Sequence, residues 1–274
     1  MATTKKAQNK FFQLETLKKP IPKNIFARIC IIFGIFLLEQ IAMTPMAMPL
    51  TPAVDGGVLI AINSPIEWIL IILGLVFMFL TLWLIWYLFK KTSPKKNWEL
   101  LEIPKLSKTL WAVGGFFVFF VINFIFVLIS SIVSSSESTG TSANEESIQM
   151  MTSGPVRPAL VFIFLFIAII GPIAEELIFR GVLMNYFFAN KPWLSIILSA
   201  IVFGMIHIPA EMSAIFTNFS ASSVIDFMSV LFVYGGMGFL LAFIYRKTGK
   251  IQYSSLTHIL WNSFSVIITL ALGV

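Results

Sequence analysis

Long apolar runs, separated by short charged or polar connections, constrain this chain more than any other feature of its sequence. About 20 apolar residues in a helix span the hydrocarbon core of a bilayer. With 58% hydrophobic and 12% charged residues, the composition excludes a soluble globular protein, for which about 25% charged residues is usual. The sequence therefore predicts an all-α, polytopic integral membrane bundle. Its apolar runs lie at about 26–48, 66–89, 110–133, 156–188, 193–208, 224–245 and 251–272.

The fourth run, 156–188, is longer than one perpendicular crossing of a hydrocarbon core of about 30 Å requires. Gly171-Pro172 divides it, because a proline inside a helix removes a backbone hydrogen bond. Either one long tilted helix kinks there, or one span ends and a shorter helix begins with Glu175 near its first turn. The sequence leaves both interpretations open and therefore predicts seven or eight transmembrane helices.

Basic residues predict the orientation, because cytoplasmic connections of membrane proteins are enriched in Lys and Arg. Residues 1–25 contain six lysines and two prolines and are interpreted as a basic cytoplasmic N-terminal arm. The loop at 134–147 has no basic residue, which indicates the outer side. Residues 26–274 are predicted to form a single transmembrane domain with its functional motifs within 171–262. We expect a multi-pass protein of the cell membrane, if the host is prokaryotic, with a cytoplasmic N-terminus.

A cluster of charged side chains lies inside the fourth apolar run, in Gly171-Pro-Ile-Ala-Glu-Glu-Leu-Ile-Phe-Arg180. A charge at membrane depth costs about 2.5–3.5 kcal/mol on insertion scales, so such a group indicates a functional site. In a helix, Glu176 and Arg180 are one turn apart and can form an ion pair on one face. Glu175 points about 100° away and is predicted to be the less constrained carboxylate.

The two histidines of the chain, His207 and His258, also lie in apolar runs. Asn262 follows His258 by one helical turn, so both side chains share one helix face. Counted from the cytoplasmic helix ends, these three residues and Glu175 lie about 10–21 Å deep at about 1.5 Å per residue. Groups from three helices thus share the middle of the membrane, as a buried site in a helical bundle requires.

Three features outside this cluster also bear on the fold and function. Glu39 and Gln40, in the first apolar run, either hydrogen-bond to neighbouring helices or face a cavity and help to bind substrate. The single cysteine excludes an internal disulfide and a cysteine-rich zinc site. The glycine-rich run at 235–238 follows no predicted strand and is interpreted as close helix packing rather than phosphate binding.

The order of the three polar motifs carries a resemblance to a known family. Glu-Glu-x-x-x-Arg at 175–180, Phe-x-x-x-His at 203–207 and His-x-x-x-Asn at 258–262 resemble the motifs of the CAAX protease and bacteriocin-processing family, also called CPBP or Abi. This family of intramembrane proteases includes the type II CAAX prenyl endopeptidases. The resemblance covers about residues 157–273 and implies an endopeptidase for a membrane-proximal or lipidated peptide or protein. In a prokaryote it implies peptide processing or bacteriocin immunity, and in a eukaryote removal of the CAAX tail.

The resemblance also implies roles for the site residues. Glu175 would activate a water molecule, which His207 would hold or polarise. His258 and Asn262 would form an oxyanion hole, and the ion pair described above would support Glu175. The family has been interpreted both as metalloproteases and as glutamate proteases. We favour a reaction without a required cofactor, and zinc bound by Glu175, His207 and His258 is the alternative.

Two functions of other classes remain alternatives. A proton-coupled transporter is one, because intramembrane Glu and His residues also form proton relays. Transporters typically contain two related halves, and the first half of this chain has no counterpart of the motif cluster. A non-catalytic membrane scaffold is the other, although every motif position is occupied. The net charge of +6 favours contact with membrane lipids over nucleic acid, because the basic residues lie beside apolar runs.

Overall fold

A computed structural model describes residues 22–50, 60–92, 102–133, 156–187, 191–217 and 219–272. These residues are helical apart from short turns and connections, and no strand occurs among them. The all-α architecture predicted from the sequence is confirmed. In chain order the helices are α1 (Ile25–Ala47), α2 (Pro65–Thr92), α3 (Leu106–Val133), α4 (Pro158–Tyr186), α5 (Pro192–Ile206), α6 (Pro209–Thr217), α7 (Ala221–Thr248) and α8 (Ile251–Leu272).

Five of these helices, α1, α2, α3, α4 and α7, are long and apolar enough to cross a membrane. The pair α5 and α6 meets the same criteria jointly, but it bends by 69° and is either a broken span or a re-entrant loop. α8 has 22 residues but carries His258, Asn262 and several hydroxyl side chains, and it is not among the five. The chain is an integral membrane protein. The predicted seven or eight spans are not confirmed, since the described residues give five, or six with the bent pair.

Two predictions concern residues that lie wholly or largely outside the described ranges. Residues 1–21 of the proposed N-terminal arm, 1–25, lie outside the described ranges. The loop at 134–147 also lies outside them. The division into an arm and one transmembrane domain therefore stays a prediction. The cytoplasmic position of the N-terminus also stays a prediction.

Local sequence signals set several helix ends. Pro158 and Pro192 open α4 and α5 at a position where the helix needs no N–H donor. At the start of α7 the Ser220 hydroxyl accepts a hydrogen bond from the Ser223 N–H, and the Ser223 hydroxyl accepts one from the Ser220 N–H, which satisfies two backbone donors. Gly249 ends the same helix in the left-handed conformation, with φ of 72°, which glycine adopts without steric cost.

α4 is one continuous helix, which decides the interpretation left open at Gly171-Pro172. Two π-helical segments, Phe166–Ile170 and Leu177–Leu183, flank the turn between them. The N–H of Gly171 donates to the carbonyl of Phe166, five residues earlier. This wider turn accommodates a proline, which lacks an N–H, without ending the helix. The alternative of a separate, shorter helix that starts here is wrong.

α4 is also the most buried of the five spans, because half of the residues in its most apolar stretch lie inside the protein. The main core cluster joins Ala174, Ile178 and Val182 of α4 to side chains of α1, α2, α5 and α7. The other spans turn large apolar side chains outward, as helices in contact with lipid do. Polar groups in the middle of α4 are therefore shielded from both water and lipid.

α5 packs against α7 through small residues. A Cβ atom on Gly238 would lie 3.1 Å from the Cα of Ala200, and one on Gly204 would lie 3.2 Å from the backbone of Gly235. Helices approach this closely only where bulky side chains are absent. The prediction that the glycine run serves helix packing is confirmed for Gly235 and Gly238, while Gly236 has open space around it.

Two arginines tie the ends of α4 to the first two helices. Arg28, near the start of α1, donates to the backbone carbonyl of Tyr186 at the end of α4 (3.0 Å). Arg157, the residue before α4, donates through Nε to Oε1 of Glu67 in α2 (2.9 Å) and through its other nitrogens to two backbone carbonyls. These contacts fix α4 relative to α1 and α2 at both ends of the bundle.

Candidate active site

Glu176 and Arg180 form the buried ion pair that their spacing predicts. The Nη1 of Arg180 lies 2.9 Å from Oε1 of Glu176, and both side chains are fully buried. The Nη2 of Arg180 donates to the backbone carbonyl of Gly238 in α7 (2.8 Å), and the guanidinium lies 4.9 Å from the ring centre of Phe203 in α5. The pair therefore ties α4 to α5 and α7 and balances charge inside the bundle.

His258 of α8 reaches both glutamates. Its Nδ1 lies 3.2 Å from Oε1 of Glu176, and its Nε2 lies 3.8 Å from Oε2 of Glu175. An ionised carboxylate can only accept a hydrogen bond, so the Nδ1–H of His258 donates to Glu176. This bond orients the imidazole ring so that its second nitrogen faces Glu175.

His207 approaches Glu175 from the other side. It is the C-cap residue that follows α5, at the bend to α6. Its Nδ1 lies 2.7 Å from the carbonyl of Phe203, and its Nε2 lies 3.9 Å from Oε1 of Glu175. Because a carbonyl only accepts, Nδ1 carries the hydrogen, and a neutral imidazole then presents an unprotonated Nε2 to Glu175.

Glu175 thus lies between two imidazole rings. The separations of 3.8 and 3.9 Å are too long for direct hydrogen bonds, and a bridging water is the usual partner across such a distance. Its Oε2 atom is buried and accepts no hydrogen bond within the described part of the chain. A buried carboxylate oxygen without a partner is costly, so folding alone gives no reason to keep one here.

Asn262 borders the site but does not point its amide at Glu175. Its Nδ2 donates to the backbone carbonyl of Ile167, in the first π-helical segment of α4 (2.9 Å). Asn262 is one turn beyond His258 on α8, as predicted from the spacing. The structure therefore gathers Glu175, His207 and His258 around one point and leaves Asn262 beside them.

Two further side chains belong to this region. The ring of Tyr234 in α7 stacks on His207, with 4.7 Å between ring centres and 16° between ring planes, and no sequence motif indicated it. Glu39 of α1 is 3% exposed and lies on the buried face of that helix. Among the described residues, its hydrogen-bond donor is the side-chain amide of the adjacent Gln40 (2.8 Å). An acidic residue in an apolar run was the sequence signal for Glu39.

The metal alternative can be tested against the geometry of the side chains. Among the described residues, no group of three or more His, Cys, Asp or Glu side chains is arranged to hold a metal ion. Two tetrahedral zinc ligands lie about 3.3 Å apart, given metal–ligand bonds of about 2.0–2.1 Å. The nitrogen–oxygen separations between Glu175 and the two histidines, 3.8 and 3.9 Å, are longer. The described side chains are therefore not at the spacing of a tetrahedral zinc site.

Comparison with known proteins agrees with the motifs. Residues 157–264 match the family described as type II CAAX prenyl endopeptidase Rce1-like. The chain is 28% identical over 168 residues to YdiL of Bacillus subtilis, which is named as a candidate membrane peptidase. The matched residues cover 59% of this chain and 56% of that protein. It is 24% identical over 174 residues to the UPF0177 protein YvdC of Lactococcus lactis, with 62% and 58% covered.

A third relative, an uncharacterised protein of Mycoplasma capricolum, is 29% identical over 184 residues, which cover 66% of this chain and 49% of that protein. The chain thus spans about half the length of these curated relatives. No solved structure matches it. The resemblance predicted from the three motifs is confirmed over residues 157–264, a range that contains every residue of the predicted site.

Proposed function

We propose that this chain, whose residues 157–264 match the Rce1-like type II CAAX prenyl endopeptidases, is an intramembrane endopeptidase that uses Glu175 to activate water. One observation carries the proposal. Glu175 lies within 4 Å of nitrogens of two imidazole rings, and one of its oxygens is buried without a hydrogen-bond partner among the described residues. The name of the Bacillus relative, a candidate membrane peptidase, supports the same activity.

In the first step Glu175 acts as general base. A water molecule between Glu175 and His207 transfers one proton to the Glu175 carboxylate while its oxygen attacks the carbonyl carbon of the substrate. The Nδ1–H of His207 is already bound to the carbonyl of Phe203, so its Nε2 can accept the second hydrogen of that water. The two side chains together fix the position of the attacking oxygen.

The negative charge that develops on the substrate oxygen needs hydrogen-bond donors. His258 donates its Nδ1–H to Glu176, and for this role it is an imidazolium that also carries a hydrogen on the Nε2 facing the reacting centre. The side-chain amide of Asn262 has two N–H groups, of which the bond to Ile167 uses one, so the second can donate to the oxyanion. We assign the oxyanion hole to these two residues of α8.

In the last step Glu175 returns its proton to the nitrogen of the leaving amine, and the carbon–nitrogen bond breaks. The products are a carboxylic acid and an amine, and Glu175 is again a carboxylate. Glu176 and Arg180 do not touch the substrate in this scheme and are positioning residues. The scheme needs no metal ion, because base, donors and acid are all supplied by side chains.

The proposed substrate is a membrane-proximal or lipidated peptide, because the site lies within the apolar part of the bundle. The three relatives named above are bacterial, which favours peptide processing or bacteriocin immunity over removal of a CAAX tail. A lipid tail would enter through the apolar surface of the helices, and the peptide would follow it to Glu175.

Cleavage of a quenched peptide library by the purified full chain in detergent tests the proposal. The library is presented with and without a prenyl tail, and the wild type is compared with Glu175→Gln and His258→Ala. We expect cleavage that both substitutions abolish and that survives a chelator. Glu67→Gln changes another buried glutamate and is the matched control, expected to cleave normally per folded molecule.

Each contrary outcome has a separate meaning. Cleavage by Glu175→Gln at the wild-type rate would overturn the role of Glu175. Loss of activity on chelation that zinc restores would overturn the metal-free scheme but not the protease activity. A wild-type chain that cleaves none of the library, including sequences taken from lipidated and secreted host peptides, would remove the support for an endopeptidase.

A further inference from the structure

Phe203, the first residue of the Phe-x-x-x-His motif, has no role in the reaction described above. It lies on α5 one helical turn before His207, so the two side chains are on the same side of the helix. The Phe203 side chain is 1% exposed and belongs to the main core cluster. Packing alone explains a buried phenylalanine, so evidence for a further role has to come from the groups that its ring contacts.

The ring of Phe203 lies against both imidazole rings of the proposed active site. Its centre is 4.5 Å from the ring centre of His207, with 32° between the ring planes. The ring centre of His258, on α8, lies 5.7 Å away, with 66° between the planes. Aromatic rings attract each other at such distances. One side chain of α5 therefore supports two imidazoles that are held by different parts of the chain.

The same ring lies beside the buried ion pair and against α7. The guanidinium carbon of Arg180 is 4.9 Å from the ring centre of Phe203, a distance at which a cation is attracted to an aromatic face. Phe179 of α4 packs edge to face against Phe203, with 5.2 Å between ring centres. Gly238 of α7 leaves room for the ring, because a Cβ atom there would lie only 3.2 Å from Cδ1 of Phe203. α4, α5, α7 and α8 therefore meet at this ring.

The direct hydrogen bonds of the two imidazoles involve one nitrogen of each ring. His207 is bonded through Nδ1 to the backbone carbonyl of Phe203, and His258 through Nδ1 to Glu176. The Nε2 atoms of both rings lie 3.8–3.9 Å from Glu175, too far for a direct hydrogen bond. A ring that is bonded at one nitrogen can still tilt about that bond, which moves its Nε2 relative to Glu175. Contacts with the faces and edges of the rings are needed to prevent this tilt.

We propose that Phe203 is a positioning residue whose ring sets the spacing of His207 and His258 and thereby places both Nε2 atoms relative to Glu175. A flat, rigid ring supports several neighbouring rings and a cation at once, whereas a flexible apolar side chain of similar size does not hold them in one geometry. Misplacing a catalytic group by about 1 Å can cost about 10²-fold in rate. The effect of Phe203 on the rate rests on the proposed function, and its effect on the two imidazoles does not.

Carbon-13 NMR relaxation of the full chain in detergent tests the positioning without any substrate. The chain has two histidines, so labelled histidine reports on these two rings alone. At one fixed pH both wild-type rings should be as rigid as the backbone, with order parameters of about 0.85, and in Phe203→Leu both should fall below about 0.6. Phe89→Leu removes a fully buried ring from the same core cluster and is the matched control, expected to leave both imidazoles rigid. Two rigid imidazoles in folded Phe203→Leu would overturn the proposal.

Steady-state cleavage tests the catalytic consequence. Phe203→Leu should lower kcat by about 10- to 100-fold and change KM by less than about twofold, because the ring touches the imidazoles and not the substrate. Phe203→Tyr keeps the ring and should retain most of the rate.

Other outcomes separate the possible roles of Phe203. A raised KM at unchanged kcat would make Phe203 a substrate contact and overturn the positioning role. If Phe203→Leu does not fold, Phe203→Met replaces it in both experiments with the same expected results. If the wild type cleaves nothing, the proposed function fails, and the relaxation measurement still decides whether Phe203 holds the two rings.

Discussion

Two largely buried pairs of glutamate and arginine lie in the described part of the chain, and they differ in how completely their polar atoms are satisfied. Where α4 begins, Glu67 accepts hydrogen bonds from Arg157 and from the backbone N–H groups of Asn63 and Ala159. The remaining nitrogens of Arg157 donate to carbonyls of two neighbouring connections. Both charges are thus fully used to hold the connections and helix ends together.

In the middle of α4 the same residue types leave atoms unused. Among the described residues, one oxygen each of Glu175 and Glu176 and the Nε of Arg180 are buried without a hydrogen-bond partner, and the Nη1 of Arg180 makes only its ion pair with Glu176. A buried polar group without a partner costs about 1–3 kcal/mol. A cluster whose polar atoms are all hydrogen-bonded is therefore explained by folding, whereas a buried cluster with unbonded polar atoms points to a ligand or a reaction.

Glu175→Gln gives the sharpest test of this difference. The amide has the shape of the carboxylate but cannot take a proton from water, so we expect the cleavage rate to fall by about 10²–10⁴-fold. The free energy of unfolding should change by less than about 1 kcal/mol, because no existing hydrogen bond is lost. Peptide cleavage and thermal unfolding in detergent measure the two effects. A loss of stability of several kcal/mol would contradict the view that Glu175 is kept for a reaction rather than for folding.

Glu67→Ala should show the opposite pattern. It leaves the charge of Arg157 buried and unpaired, so we expect the free energy of unfolding to fall by about 3–5 kcal/mol. The rate per folded molecule should stay within a factor of about two, since the pair lies away from the site. Denaturation in mixed detergent, followed with the cleavage assay, measures both. A second substitution, Arg157→Met, should restore part of the stability, and failure to do so would contradict an unpaired charge as the cause.

Sequence reasoning found the spans and the charged cluster because both are local signals. Apolar runs have a fixed length in a bilayer, and Glu176 and Arg180 pair within one turn. It did not find Tyr234, because the contact of its ring with His207 joins two different helices. No pattern in one helix reports which face a distant helix covers.

Two other differences have a similar cause. The sequence left a kink or a break open at Pro172, and the choice depends on how the turns around it widen and pack. Asn262 was placed on the correct face of α8, but its amide bonds to a carbonyl of α4 that only the packed structure brings near. Helix existence is thus readable from the sequence, while the engagement of each polar atom depends on tertiary packing.

The stacking of Tyr234 on His207 allows a test with a smaller expected effect at the proposed active site. Replacing Tyr234 with Leu removes the aromatic stack, which is worth about 0.5–1.5 kcal/mol, so we expect kcat to fall by about two- to tenfold. Tyr234→Phe keeps the ring and should retain more of the activity than Leu. Steady-state kinetics on the best library peptide measures this order. Equal rates for the Leu and Phe variants would show that the stack does not position His207.

Glu102 offers a third environment for a glutamate, in the connection before α3 and outside the membrane-spanning helices. It accepts hydrogen bonds from Lys108 (2.7 Å) and from the hydroxyl of Tyr253 at the start of α8 (3.0 Å). Partial burial acts to raise the pKa of Glu102, but these two bonds outweigh it and hold the pKa below its ordinary value of 4.5. The contact links α3 to α8, the helix that carries His258.

The lowered pKa of Glu102 gives the smallest predicted effect. A carboxyl group with a lower pKa in the folded than in the unfolded protein stabilises the fold above the unfolded value and loses that contribution as the pH falls through the folded value. We therefore expect the stability of the wild type to decline more steeply below about pH 4.5 than that of Glu102→Gln, by no more than about 1 kcal/mol for such a partly exposed pair. Urea unfolding in detergent at a series of pH values measures the difference. Equal slopes for the two proteins would mean that the charge of Glu102, unlike that of Glu67, contributes nothing to stability. The comparison of structural with reactive carboxylates would then rest on the two buried pairs alone.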